Sequence, residues 1–228
     1  MNFHDMLARR ADEDRPVRVG LVGAGKFGSM FLSQARRVAG LHVLGIADLD
    51  PARARENLRR IGWEPERHAA ASFADALNSG TTYVADDAAA LIAADGLDVV
   101  IDATGSPAAG IRHVELACRH RRHIVMVNVE ADALAGPLLA AKAREAGIVY
   151  SLAYGDQPAL IAEMVDWART CGFEVAAAGK GTKYLPEYHA STPETVWAYY
   201  GITPERARLG GMNPVSYTHL TLPTNREV

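Results

Sequence analysis

Cysteine is scarce in this chain of 228 residues, which holds two, Cys118 and Cys171. Two thiols in helical patterns make neither a disulfide framework nor a metal site, and both are expected to be small buried apolar residues in a reducing compartment. Long hydrophobic runs are missing as well. No apolar run reaches the ~18 residues that a spanning helix needs. Met1 to Arg15 lacks the apolar centre of a signal peptide and carries Asp5, Asp12, Glu13 and Asp14, so a cytoplasmic protein with no membrane partner is expected. Charge of one sign is not in excess either. The balance of 24 basic and 27 acidic residues gives a net charge of −3, with no basic stripe that would suit nucleic acid. Arg119-His120-Arg121-Arg122-His123 reads as a solvated helix end, where cations suit the dipole. What is present is 49% hydrophobic and 22% charged residues, enough to build a sizeable core.

The most informative stretch runs from Val17 to Gly28. Alternating apolar residues (Val17, Val19, Leu21, Val22) break into Gly23-x-Gly25-x-x-Gly28, and Phe27, Met30, Phe31, Gln34, Ala35 and Val38 follow at helical spacing. Strand, glycine turn and helix in that order are the context in which GxGxxG cradles a dinucleotide. Gly23 makes the tight turn and Gly25 admits a pyrophosphate to the backbone. Gly28 lets helix and strand pack closely, and Lys26 and Phe27 open the helix between them. The alternative is a glycine-rich turn with no ligand. A second apolar strand, His42 to Ala47, ends in Asp48, 20 residues after Gly28, where the fingerprint places an acid on the adenosine ribose. Asp50-Pro51 is the better helix cap, which leaves Asp48 without a structural duty. A carboxylate there repels a 2′-phosphate and favours NAD over NADP, while Arg53 or Arg55 could soften that preference.

Strand and helix then alternate. Helices are expected over Pro51–Ile61 and Phe73–Asn78, and a short strand over Thr82–Val84. A helix capped by Asp86 or Asp87 follows, then a buried strand over Leu97–Ala103. Beyond these come a helix to about Arg121, a strand over His123–Val129, a helix over Gly136–Ala146 and a strand over Ile148–Leu152. This is an α/β chain, a Rossmann-type doubly wound parallel sheet closing near residue 153. Gln157 to Cys171 reads as a helix with Leu160, Ile161, Met164, Val165, Ala168 and Cys171 on its apolar side. Phe173–Ala178 reads as a strand that opens into Gly179-Lys180-Gly181-Thr182-Lys183. This region looks like the start of an incomplete α+β catalytic domain. Ligands of open parallel sheets bind at the carboxyl ends of the strands, which places Thr104 and Gly105 near a nicotinamide ribose and Asn128 to Glu130 near its ring. A helix-start turn capped by Ser106 is an equally good reading of Thr104 to Pro107, and Glu130 could be a surface acid.

Five motifs in order carry a resemblance: Gly23-Ala-Gly-Lys-Phe-Gly28, Asp102-Ala-Thr-Gly105, Met126-Val-Asn-Val-Glu-Ala-Asp132, Tyr150-Ser-Leu-Ala-Tyr-Gly-Asp-Gln-Pro158 and Ala178-Gly-Lys-Gly-Thr-Lys183. Together they resemble a bacterial oxidoreductase family related to homoserine dehydrogenases, one that includes a deoxyxylulose-phosphate reductoisomerase-like enzyme. The resemblance covers about residues 1–214. It implies NAD(P)-dependent hydride transfer on a small hydroxylated substrate, acidic or phosphorylated, and longer full-length members; a homo-oligomeric state is left open by the sequence.

The resemblance makes Lys180 and Lys183 candidates to hold a substrate anion or act on its oxygen, against the alternative of two solvated loop lysines. Glu130 and Asp156 become the carboxylates that orient a hydroxyl or hold a divalent metal. Two other functions stay open, a metal-dependent reductoisomerase using NADP and a non-catalytic NAD-sensing module. Asp48 departs from the reductoisomerase pattern. Val215–Val228 has no helical period and does not resemble the family, and is expected to be a non-native tail. The expected layout is therefore a cofactor domain over 1–153, the start of a catalytic domain over 154–214, and the tail.

Overall fold

The computed structural model describes residues 2–154, 157–179, 186 and 190–209. The chain divides into two compact units, Met1–Glu163 and Met164–Val228. In the first, α1 (Phe3–Asp12) precedes β1 (Val17–Val22), α2 (Lys26–Ala35), β2 (Leu41–Ala47), α3 (Pro51–Arg60), a 3-10 turn, α4 (Phe73–Ser79) and β3 (Tyr83–Ala85). Then follow α5 (Ala88–Ala93), β4 (Val99–Asp102), α6 (Pro107–His120), β5 (His123–Met126), α7 (Val129–Ala146) and β6 (Tyr150–Leu152). The six strands form one sheet in the order β3-β2-β1-β4-β5-β6, every pair parallel. That is the Rossmann-type doubly wound order, with its switch point between β1 and β4.

Side-chain alternation along the strands builds a core on each face. Val19 and Leu21 of β1 join Leu32, Ala35, Ala54, Leu58 and Trp63 on the side of α2 and α3. Val22 of β1 and Val100 of β4 join Leu91, Ile92, Val114, Leu139 and Ala143 on the side of α5, α6 and α7. The strands are too short and too apolar to stand alone, so burial on both faces holds them.

Several expectations are corrected here. The strand from His123 stops at Met126, and the helix expected at Gly136 begins at Val129. The Asn128 side chain accepts the Ala131 N–H at 3.2 Å, and Glu130 and Asp132 suit the positive end of the first turn. The helix runs on through Pro137, forgoing one hydrogen bond, because Ala131, Leu139 and Ala143 are buried on one side of it.

Phe173–Ala178 forms no strand. The Phe173 N–H bonds back to the Ala168 carbonyl at the end of α8 (Gln157–Thr170), and its ring sits 6.4 Å from that of Trp167. The expected apolar side of α8 is not buried: Leu160 and Met164 are exposed, and Ile161, Val165 and Ala168 are half-buried. Cys171 is exposed and Cys118 half-buried, so neither thiol is the fully buried apolar residue expected. In the second unit Val196, Trp197 and Ala207 form a small core with α9 (Val196–Tyr199) and α10 (Pro204–Leu209). No helix among the described residues is long and apolar enough to cross a membrane.

Candidate functional site

The junction of β1 and α2 is shaped by what its glycines leave out. Gly23 has φ +94°, and a Cβ there would lie 2.8 Å from the Ala103 carbonyl oxygen. Only glycine takes that backbone conformation at so close an approach. A Cβ on Gly28 would run into the Gly23 carbonyl, so helix and turn pack backbone to backbone. Gly25 is different: a Cβ there would meet nothing within 4 Å. Gly25 is the N-cap of α2, and no side chain caps it. The first N–H groups of α2 are therefore presented at the positive end of the helix, as a phosphate requires.

Gly23 and Gly25 line a cavity of about 440 Å³ at the carboxyl ends of β1, β2 and β4, together with Asp48, Arg53, Thr104 and His113. Asp48 is 9% exposed. Its carboxylate accepts the Ala24 N–H at 2.8 Å and the Asp50 N–H at 2.9 Å, and Arg53 donates to it at 3.3 Å. The expectation that Asp48 has no structural duty is thus overturned: one oxygen ties the glycine turn to the end of β2. Asp50 is the cap of α3, as expected, accepting from the Arg53 N–H. Arg55 is turned away and donates to the Val84 carbonyl, which leaves Arg53 as the cation beside Asp48.

A second polar centre lies at the end of β4, and sequence reasoning missed it. Asp102 is fully buried. One of its oxygens lies 2.8 Å from His113 Nδ1, and the other accepts the N–H of Thr104 at 2.9 Å and its hydroxyl at 2.8 Å. A carboxylate only accepts, so Nδ1 carries the proton. Burial pushes the Asp102 carboxyl up, but the bonds from His113 and Thr104 outweigh it and hold it below the ordinary carboxylate value. Asn128, 1% exposed, donates to Thr104 Oγ1 at 3.1 Å and to the Ser106 carbonyl at 2.8 Å. The signal for this network was an aspartate at the end of an apolar strand with a histidine eleven residues on, within the next helix.

The other candidates fall as follows. Thr104 is half-buried at the cavity wall, and Gly105 is exposed with φ +65°. The side chain of Asn128 points into the network, so whatever it contributes passes through Thr104 and Ser106. Ser106 caps α6, accepting from the Ala109 N–H at 3.4 Å. Lys26 opens α2, and Phe27 is 38% exposed. Glu130 is exposed in the first turn of α7. Asp156, Lys180 and Lys183 lie outside the described residues. Among the described residues no group of three His, Cys, Asp or Glu could hold a metal ion.

Residues 155–228 match the protein family described as "Oxidoreductase DRL, catalytic domain". That span is less than half of the chain. It holds Asp156, Lys180 and Lys183, and it runs through the Val215–Val228 stretch. No curated protein matches the chain. Among solved structures, an NAD binding oxidoreductase from Klebsiella pneumoniae is 17% identical with a TM-score of 0.49, over 69% of this chain and 39% of that one. A homoserine dehydrogenase from Thiobacillus denitrificans is 19% identical with a TM-score of 0.48, over 60% of this chain and 29% of that one. Biliverdin reductase from Synechocystis sp. PCC 6803, in complex with biliverdin and NADP+, is 20% identical with a TM-score of 0.47, over 69% and 43%. The chain therefore spans well under half the length of these neighbours.

Proposed function

We propose that the chain is the cofactor-binding part of an NAD(P)-dependent oxidoreductase, joined to part of its catalytic domain. The observation that carries this reading is the uncapped start of α2, facing a cavity that Asp48 closes on the far side. The residues present fit a dinucleotide: backbone N–H groups for the pyrophosphate, a glycine with open space where a side chain would block it, and a carboxylate for the ribose hydroxyls. Asp48 Oδ2 accepts only the Ala24 N–H and keeps a second lone pair, and Oδ1 holds the Arg53 side chain at a long 3.3 Å, so ribose binding and the turn contact are compatible. The Asp48 charge favours NAD, and Arg53 beside it reduces the penalty for NADP.

A bound nicotinamide cofactor would supply the hydride chemistry. This chain's residues would position it, with Thr104 held by Asp102 and Asn128 beside the nicotinamide ribose. The substrate would be a small hydroxylated molecule bearing a carboxylate or phosphate, held by Lys180 and Lys183, with Glu130 and Asp156 orienting its hydroxyls. Support for these four residues is the match of 155–228 for three of them and, for Glu130, its place in the first turn of α7, just after β5. The test is a calorimetric titration with NAD+ and NADP+, followed by absorbance of reduced nicotinamide over a panel of hydroxy acids and sugar phosphates. NAD+ should bind more tightly than NADP+, and turnover should fall in Lys180→Ala and Lys183→Ala with cofactor affinity unchanged. Failure of both cofactors to bind would refute the reading. Cofactor binding with no turnover on any panel member would remove the catalytic half of it.

A further inference from the structure

We infer that the first unit carries a second anion site, for a phosphate group on a small molecule, at the opposite end of the sheet from the cofactor cradle. A cavity of about 350 Å³ opens at the amino ends of β1, β2 and β3. Its walls include Arg18, Arg36, Arg67, His42 and Trp63, with Asp14 as the one acid among them. It shares no residue with the cavity at Gly25. The six-residue β1 separates the two by roughly 20 Å at ~3.3 Å per residue.

The charge arrangement is what a bound oxyanion would complete. Among the described residues, no carboxylate lies within ion-pair distance of the guanidinium of Arg18, Arg36 or Arg67. Asp98 accepts the backbone N–H of Arg18 at 2.8 Å rather than its side chain. Arg36 donates one Nη to the Gly62 carbonyl at 3.0 Å, yet its Nε is buried with no acceptor, and so is the Nε of Arg18. The same unpartnered Nε recurs at Arg10 and Arg122, so it is the three guanidinium charges with no carboxylate within ion-pair distance that mark a place where an anion belongs. Arg67 lies over the Trp63 ring at 5.9 Å, which fixes its plane without neutralising it. His42 donates Nε2 to the Thr81 carbonyl at 2.7 Å. Three guanidinium groups against Asp14 leave an excess of two positive charges. A doubly charged tetrahedral anion matches this better than one planar carboxylate, which a single arginine satisfies. The cavity is large enough for more than the phosphate, and the buried Trp63 offers an apolar wall for the rest.

The experiment is NMR of the 228-residue chain titrated with inorganic phosphate at constant ionic strength. The arginine Nε–Hε signals report this cavity, and the Gly25 and Phe27 amides report the cradle. Phosphate should move the Arg18 and Arg36 signals saturably, with NAD+ present or absent. The pair Arg36→Gln and Arg67→Gln should weaken that binding at least about tenfold, and Asp14→Asn should strengthen it about two- to threefold. Arg67 is exposed, so Arg67→Gln alone keeps the fold and should weaken binding in the same direction if the double variant unfolds. Immobile Arg18 and Arg36 signals would overturn the site, as would equal affinity in Arg67→Gln. Movement of the Gly25 and Phe27 amides alone would place the phosphate in the cradle and overturn it too, while leaving the cofactor reading intact.

Discussion

Two strand-to-helix junctions at the same end of the sheet are built in opposite ways. Where β4 meets α6, the turn is filled: Ser106 caps the helix, Asn128 braces the Ser106 carbonyl, and Thr104 is tied to Asp102. Where β1 meets α2, the turn is left open: Gly25 has no side chain to cap with and open space where one would stand. The junctions before α3, α5 and α7 follow the first pattern, with Asp50, Asp87 and Asn128 as caps. Among the described strand-to-helix junctions of the sheet, four are capped by a side chain and the fifth, at the topological switch point, is bare, which leaves room for a ligand to be the cap.

Substitutions can break this contrast. The largest effect should come from Gly25→Val. Its backbone is extended with open space at the Cβ, so a β-branched residue there should cost at most about 1 kcal/mol as a poor cap, while NAD+ affinity falls by at least about a hundredfold because the Cβ branches occupy the pyrophosphate position. Calorimetry and a thermal scan on one preparation check both halves. Asp102→Ala should act chiefly on stability, costing about 3 kcal/mol at neutral pH by stranding His113 and Thr104, with a smaller loss of NAD+ affinity through Thr104. The Asp102 carboxyl is held below its ordinary value, so its stabilisation is complete above the unfolded carboxylate range, near pH 4, and is lost as pH falls through the folded value. The stability gap between wild type and Asp102→Ala should therefore narrow in acid, as denaturant titrations from pH 7 to pH 3 would show.

Asp48→Ala should weaken NAD+ about tenfold, relax the preference against NADP+, and cost about 1 kcal/mol through the lost Ala24 contact. Titrations showing unchanged affinity for both cofactors would remove Asp48 from the site. Ser106→Ala should be the mildest, costing about 1 kcal/mol as a lost cap and leaving NAD+ affinity within a factor of two. A larger loss of affinity there would mean that the filled junction also holds ligand.

The open junction was legible in the sequence, because alternation, glycine spacing and an acid at the end of the next strand are local signals. The doubly wound parallel sheet followed from regular alternation of strand and helix. The filled junction was legible only in part. Ser106 and Thr104 were visible, but the Asp102–His113 pair depends on a helix turning one side chain back onto a strand end. The start of α7 was misplaced because Gly136-Pro137 reads as a helix start, whereas packing carries the helix through it. The structural role of Asp48 stayed hidden because the Ala24 N–H it accepts is backbone, and sequence does not show backbone contacts. Phe173–Ala178 has strand composition, but a strand needs a partner ladder, and no described residue supplies one.

Hydrogen–deuterium exchange of the chain with and without NAD+ tests the central claim most directly. The open β1–α2 junction should gain protection over residues 25–28, while the N–H groups already held, at Asp48 by the Ala85 carbonyl and at Ala89, Ala90 and Ala131 by Asp87 and Asn128, should not change. Saturating NAD+ that leaves residues 25–28 exchanging as in the free chain would contradict it.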